Sequence, residues 1–436
     1  GALATQTLVN TNNYIIQGRV SVPNGRTVTI QPGTALFGST TVTPSYFVVE
    51  RGGRLICDGT ANAPIIFTSE RAPSSTAVRG DWGGVVWQGR ACANCANTAA
   101  GDSCQSEGGA GSYGGTDDSY NGGSMSYTRI EFCGFLLSAN NELNCLTMNA
   151  LGTQTSIHHV QTHEGLDDMF EWFGGDVNCK YLYANGGDDD GLDFQMGYRG
   201  KVQFAVVQQT PLGLVDKGIE GDNNEFDFAN PLCRSNPVFA NLTMIGCRVT
   251  QGPATTFGNQ GVHFRRGARG QVLNSIVTGF RTCGFDFDDA ETVGGGFGPD
   301  GQAYDCADKG GAPVITWDGN VLFDNNPNGC NDAATGGFLE TNVLFGAPFT
   351  HNRQVDPLLV NDASLTAPDF RPTAASNALC ANFHPVITVP NDGFFEQTTY
   401  AGAMSPTDNW AAGWTTSDVD GNPADFNLSK PLVALS

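Results

Sequence analysis

Gly191-Leu192-Asp193-Phe194 … Gly197 … Arg199-Gly200 … Val202 … Val206-Val207 returns without a gap as Gly261-Val262-His263-Phe264 … Gly267 … Arg269-Gly270 … Val272 … Ile276-Val277. The offset is about 70 residues, close to three steps of about 23. Gly284-Phe285-Asp286-Phe287 follows one step later, and Phe170-Glu171-Trp172 and Leu146-Thr147-Met148 precede at similar steps. Short apolar-x-apolar strands cut by glycine turns, at a period of roughly 20–25 residues, mark a β-solenoid. The expected fold is a stack of coils.

Composition agrees. There are 57 glycines, 40% of residues are hydrophobic, and no long stretch has helical periodicity. A chain that doubles back every few residues needs glycine for turns of positive φ. The net charge of −22 repels nucleic acid and anionic membrane, so neither is expected as a partner. No apolar run approaches the ~20 residues of a spanning helix. The first residue is Gly1, which suggests an export signal already removed and an extracellular or cell-surface location.

The 13 cysteines fit an oxidising compartment. Cys92-Ala93-Asn94-Cys95 with Cys104 offers three zinc ligands, but no fourth completes the set, so disulfides are favoured. Cys283, Cys306 and Cys330 recur at coil spacing and suggest bridges between neighbouring coils. An odd count leaves at least one thiol over.

Residues 1–18 read as an edge strand or cap, and its Thr5–Ile16 run could dock on a neighbouring subunit or close its own chain. The helix is expected over 19–355, with a Cys/Gly-rich insertion at about 90–123. The regular coils run to about Val343–Phe345, with two unassigned coils between Val207 and Gly261. Residues 356–436 lack the period and read as a flanking or capping segment.

Alternation along a strand points the two apolar residues of each repeat inward and the residue between them outward. Leu146, Phe170, Leu192, Val262 and Phe285 then form one inward column; Met148, Trp172, Phe194, Phe264 and Phe287 form the other. The outward column reads Thr147, Glu171, Asp193, His263 and Asp286. Asp167-Asp168 lies in register with Asp189-Asp190, so Asp167, Asp168, Glu171, Asp189, Asp190 and Asp193 crowd two adjacent coils, where Asp188 joins them. Like charges at a strand spacing of about 4.8 Å raise a pKa or recruit a cation. Three readings stand: a solvated acidic face, a calcium site built on hard oxygen ligands, or catalytic carboxylates. His158, His159 and His163 precede the first acidic turn; charge pairing or a hydrogen bond to Asp167 is favoured over metal ligation. Arg199, Arg265, Arg266 and Arg269 border the same face. Glu171, Asp193, His263, Arg265 and Asp286 are therefore the candidates for calcium-dependent β-elimination on an acidic glycan. No nucleophile elbow, phosphate loop or dinucleotide fingerprint is present.

Asn140-Asn141-Glu142-Leu143-Asn144, His159-Val160-Gln161, Gly165-Leu166-Asp167-Asp168, Phe170-Glu171-Trp172-Phe173-Gly174-Gly175 and Tyr198-Arg199-Gly200-Lys201-Val202-Gln203 form one set of motifs. Asp369-Phe370-Arg371-Pro372, Thr399-Tyr400-Ala401-Gly402-Ala403, Asn409-Trp410 and Gly413-Trp414 form a second. Together they make the chain similar to a group of largely uncharacterised secreted or surface proteins of bacteria. The resemblance implies an all-β, right-handed parallel β-helix and export, and brings no catalytic residue with it. The first functional expectation is an extracellular structural protein, self-associating end to end into a homo-oligomer or filament. The alternative is a calcium-dependent polysaccharide lyase or a glycan-binding adhesin.

Overall fold

The computed structural model describes residues 1–95, 103–138, 141–211, 215–248, 259–294, 315–331, 339–382 and 384–436. Its strands wind into parallel coils with three faces. The first face is a nine-strand sheet running from Arg19–Val22 through Tyr46–Val49, Val85–Gln88, Leu146–Asn149, Phe170–Phe173, Leu192–Gln195, Lys217–Gly221 and Gln260–Phe264 to Cys283–Phe287. The other two faces meet at a corner inside longer strands. Gly123–Glu131, Ser156–His163, Asn178–Asn185, Lys201–Gln208 and Val238–Ile245 each contribute to both. In earlier coils these faces are separate strands: Arg54–Asp58 and Ile65–Ser69 both pair with Gly123–Glu131.

The register follows the apolar pattern. Phe170 pairs with Leu192 and Trp172 with Phe194, while Val262 pairs with Phe285 and Phe264 with Phe287. Every residue of both inward columns is 0% exposed. At about 1.5–3 kcal/mol per fully buried large apolar side chain, these columns supply much of what opposes chain entropy. One coil, not two, separates Asp193 from His263: Ile219 and Glu220 bridge the two strands, with Gly221 where the second apolar residue would stand. That glycine lies beneath the Phe194 and Phe264 rings, so a Cβ there would collide with Phe194. The aromatic neighbours fill the space and erase the pattern.

The corner between the second and third faces has no counterpart in the sequence pattern. Tyr127, His159, Tyr181 and Phe204 all turn it with positive φ, and so do Asn241 and Asn274 in the later coils. A left-handed residue with a bulky side chain costs of order 1–2 kcal/mol. Stacking of the rings on successive coils offsets this, with centroids 4.4 Å apart for Tyr127–His159, 4.3 Å for His159–Tyr181 and 5.2 Å for Tyr181–Phe204.

At both ends of the stack the chain itself supplies the last layer. Residues 1–18, read as an edge strand or cap, supply strands of the first coil. Gln6–Leu8 and Asn13–Ile16 pair with Thr27–Ile30 and Ala35–Gly38, as parts of the first coil. At the far end, Glu340–Leu344 is a helical turn rather than a further strand, and Leu344 and Phe349 plug the core at 0% exposure. The chain from about residue 350 then runs back along the helix. It packs Ala378 and Ala401 on Ile276 and Val321, Val389 and Phe395 on Val238 and Ala240, Phe370 and Met404 on Tyr183 and Val206, and finally Phe426 on Phe37 and Ile66. Outward amide side chains hold the backbone of this strap as a neighbouring strand would. Gln203 donates to Glu396 O and accepts from Glu396 N, at 2.8 and 2.9 Å. Asn274 does the same with Ile387, at 2.8 and 2.9 Å. The strap's last strand is Leu432–Leu435, paired in parallel with Asn13–Ile16. Among the described residues that strand is the outermost on its face, as Gln6–Leu8 is on the neighbouring one.

Among the described residues four disulfides join Cys92–Cys233, Cys95–Cys104, Cys133–Cys145 and Cys283–Cys330. The partial zinc set is thereby dissolved: Cys92 and Cys95 face different sulfurs, and both are consumed. Of the three coil-spaced cysteines Cys283 and Cys330 are bonded, and Cys306 lies outside the described residues. Burial pushes the Cys57 and Cys179 thiols up to about 12, so both are inert core groups. Cys380 is an exposed thiol.

Candidate functional site

On the outer side of the nine-strand sheet the residues between the apolar pairs form one line. Thr147 pairs with Glu171, Glu171 with Asp193, Asp193 with Glu220, Glu220 with His263 and His263 with Asp286. Glu220 is the member that sequence reasoning misses, because Gly221 hides its strand. The line is outward but not open. Glu171 is 3% exposed, Asp193 6%, Glu220 8%, His263 6% and Asp286 2%.

The insertion between the third and fourth strands of this sheet forms much of the lid. Its antiparallel pair Cys104–Gln105 and Ser112–Tyr113 brackets a turn at Glu107–Gly109. Tyr113 packs on Phe173 at 6.2 Å, and Asn149 donates to Ser106 Oγ at 2.8 Å. A hairpin of Phe135–Ser138 and Asn141–Leu143 lies beside it, with Asn141 accepting from Gly108 N at 2.8 Å. Under this cover Tyr46, Val48 and Val86 meet Ala110 and Leu143, so the lower coils carry a second apolar layer.

The six expected metal-site carboxylates do converge. Oxygens of Asp168, Glu171 and Asp193 lie within 4.8 Å of one another, as do those of Asp167, Asp168 and Asp189, and those of Asp189, Asp190 and Asp216. Burial, first, and neighbouring carboxylates, second, push Asp167, Asp168, Glu171, Asp190 and Asp193 well above the usual carboxylate range. Asp189 and the insertion's Glu107 rise to about 7 by the same causes. Amides meet some of the oxygens: Glu171 accepts from Gln195 Nε2 at 3.0 Å and from Asn144 Nδ2. Asp168 accepts from Asp190 N at 3.0 Å, and Asp190 from Lys217 N at 2.6 Å. Asp193 Oδ1 is buried with no hydrogen-bond partner. An orphaned carboxylate oxygen in a hard-oxygen set fits calcium. Bonds of about 2.4 Å keep any two ligands of one ion within about 4.8 Å of each other, a limit this trio satisfies.

Asp188 stands apart, paired with Arg79. The histidines before the acidic turn also lie elsewhere. His159 turns the stacked corner, His158 Nδ1 lies 3.0 Å from His159 Nδ1, and His163 is buried against Asn185 and Asp418 O. The hydrogen bond expected to Asp167 is not among theirs, because their strand belongs to a different face from the nine-strand sheet.

The upper part of the line is built differently. Lys217 Nζ approaches Glu220 Oε1 at 2.6 Å, and Arg265 binds Glu220 and, at 3.0 Å, Asp222. Arg266 reaches Asp222 at 2.7 Å. Burial works to raise the Glu220 pKa, yet Lys217 and Arg265 outweigh it and hold the group below its usual value. Arg199 and Arg269 are engaged elsewhere: the first pairs with Asp176 and Asp118, and the second donates to Thr292 O. The five residues assigned to β-elimination thus share one line of the sheet but not one site, since Glu171 and Asp286 stand four strands apart, and four of the five are buried.

No curated protein matches this chain, and no solved structure does. A protein-family profile described as a pectate-lyase-like β-helix domain matches residues 1–305. With well over half of its length inside that match, and with parallel coils stacked in the register just described, the chain belongs to the pectate-lyase-like β-helix family.

Proposed function

We propose that this protein is an extracellular structural rod that associates end to end and performs no chemistry on polymers. The observation that carries this reading is the outer edge of Leu432–Leu435. Paired on one side with Asn13–Ile16, it offers a parallel ladder on the other, with Leu432 59% and Val433 37% exposed. A free edge of this kind is a template for another strand. The opposite end carries Leu339 and Phe345, 42% and 37% exposed, on and beside its helical cap. A second copy stacked on the axis would continue the same ladder and cover both apolar ends. The net charge of −22 disfavours contact flank to flank, which leaves the ends. Four disulfides support a location outside the reducing cytoplasm.

Within this reading the carboxylates of Asp168, Glu171 and Asp193 serve as a structural calcium site beneath the insertion. A lyase or adhesin using Glu171, Asp193, His263, Arg265 and Asp286 would need a glycan chain to reach them, and their burial favours the structural reading.

Electron microscopy and light scattering of the full chain over a range of concentrations test the proposal. Linear assemblies with an axial repeat of one rod are expected. The pair Leu432→Lys and Val433→Lys should reduce them to monomers without lowering the melting temperature. A monodisperse monomer at every concentration would overturn it.

A further inference from the structure

Above the acidic trio, His263 lies at the centre of Gln260–Phe264 and faces Asp286 on the next strand, with Asp288 two residues beyond. One ligand atom from each of the three falls within 4.8 Å of the others. His263 Nε2 is 3.0 Å from Asp288 Oδ2 and 3.9 Å from Asp286 Oδ2. Bonds of about 2.1 Å to a zinc-type ion put two ligands about 3.0 Å apart at a right angle and about 3.4 Å apart at the tetrahedral angle, so these separations need little adjustment.

The second imidazole nitrogen supplies the independent observation. His263 is more than nine-tenths buried, and its Nδ1 has no hydrogen-bond partner. Glu220 Oε1 lies 4.0 Å from it, a carboxylate kept ionised by Lys217 and Arg265. A proton on Nε2 satisfies Asp288 but aims the bare Nδ1 lone pair at that carboxylate. A proton on Nδ1 satisfies Glu220 but aims the Nε2 lone pair at two more carboxylates. A metal ion on the Nε2 side resolves both, as a second ring proton also would, with Nδ1–H directed to Glu220 in either case; metal titration separates the two. Metal-bound histidines ordinarily have such a carboxylate behind them. The frame is rigid: Gln260 Nε2 binds Asp286, and the Cys283–Cys330 disulfide pins the strand that bears it. Asp288 keeps 28% of its side chain exposed and gives an ion a way in.

We propose that His263, Asp286 and Asp288 form a site for a divalent ion of the zinc type, with Glu220 orienting the imidazole from behind. This goes beyond the structural reading and does not depend on end-to-end association.

The test is titration of the metal-stripped full chain with zinc chloride by calorimetry, and with cobalt(II) by visible absorption. One equivalent is expected to bind with imidazole-ligated cobalt bands. Affinity should fall at least tenfold in both His263→Asn and Asp288→Asn, and be kept in His159→Gln. Asp288→Asn guards against misfolding, since it alters the partly exposed ligand. Failure of the native chain to bind, binding retained in both His263→Asn and Asp288→Asn, or loss in His159→Gln alone would overturn the assignment; the last outcome would place the ion on the His158–His159 pair.

Discussion

Asp193 and Glu220 are neighbours on one sheet, one strand apart, yet they belong to opposite electrostatic regimes. Around Asp193, Glu171 and Asp168 the direct hydrogen-bond donors are amides and backbone, and the carboxyls are driven toward the neutral form. Around Glu220, Lys217 and Arg265 are in contact and the carboxylate is held ionised in spite of its burial. Identical backbone geometry therefore sets neither outcome. What differs is whether a basic side chain reaches the line, and where none does, the site is left short of positive charge.

The largest expected effect comes from removing compensation where it exists. Arg265→Met leaves Glu220 to Lys217 alone and Asp222 to Arg266 alone, and urea unfolding should show a loss of about 3 kcal/mol, the low end for a broken buried pair. An equal loss from Asp193→Asn would break the comparison, because that variant removes a charge with no cationic contact. Asp193→Asn should instead stabilise the chain in chelator at pH 8, by about 1–2 kcal/mol. Calcium at a hundred times its dissociation constant should stabilise the native chain by about 2.7 kcal/mol and leave Asp193→Asn unmoved. A native melting temperature indifferent to calcium would count against the cation site.

The smallest effect per group, though summed over several, is on pH. The acidic stretch has folded pKa values raised above the unfolded ones, so the folded state holds extra protons. Its stabilising contribution is complete below the ordinary carboxylate range and is lost as pH rises through the folded values, which reach about 7 for Asp189 and Glu107. Calcium-free protein should therefore gain stability on acidification from pH 8 to pH 5, by about 1.4 kcal/mol for each tenfold by which folding weakens a carboxyl's acidity. Calcium should flatten the profile. Glu220 and Asp288 are displaced the other way, and their contribution is lost only as pH falls below the ordinary carboxylate range, outside this window. A calcium-free melting temperature that falls on acidification over this window would show that the carboxylates are better solvated than their burial implies.

The repeat is legible in the sequence because its information is local: Trp172 over Phe194 and Phe264 over Phe287 follow from an apolar-x-apolar spacing that needs nothing else. The six crowded carboxylates are legible for the same reason, since register alone brings them together. Burial of the column is not, because its cover comes from Glu107, Tyr113 and Leu143, whose segments carry no period. Glu220 is lost to a glycine whose role is to make room for two phenyl rings. The stacked corner is hidden because nothing in the residue types Tyr127, His159, Tyr181 and Phe204 announces positive φ. The strap's clamps, Gln203 and Asn274, are hidden because their partners lie far along the chain.

The strap's final strand has a consequence for the order of events in biogenesis. Asn13 and Asn427, hydrogen-bonded beside that strand, are 414 residues apart. Growth of the helix from its first coil toward its last can proceed as the polypeptide emerges, but the opening coil waits for Leu432–Leu435 to be made before it receives its outer neighbour. A nascent or clipped chain lacking Leu432 onward leaves the Asn13–Ile16 edge bare, and lacks the docking surface that the proposed assembly needs. Until that segment is laid down the bare Asn13–Ile16 edge is itself a template for a foreign strand, so the strap's last strand decides which edge the first coil presents.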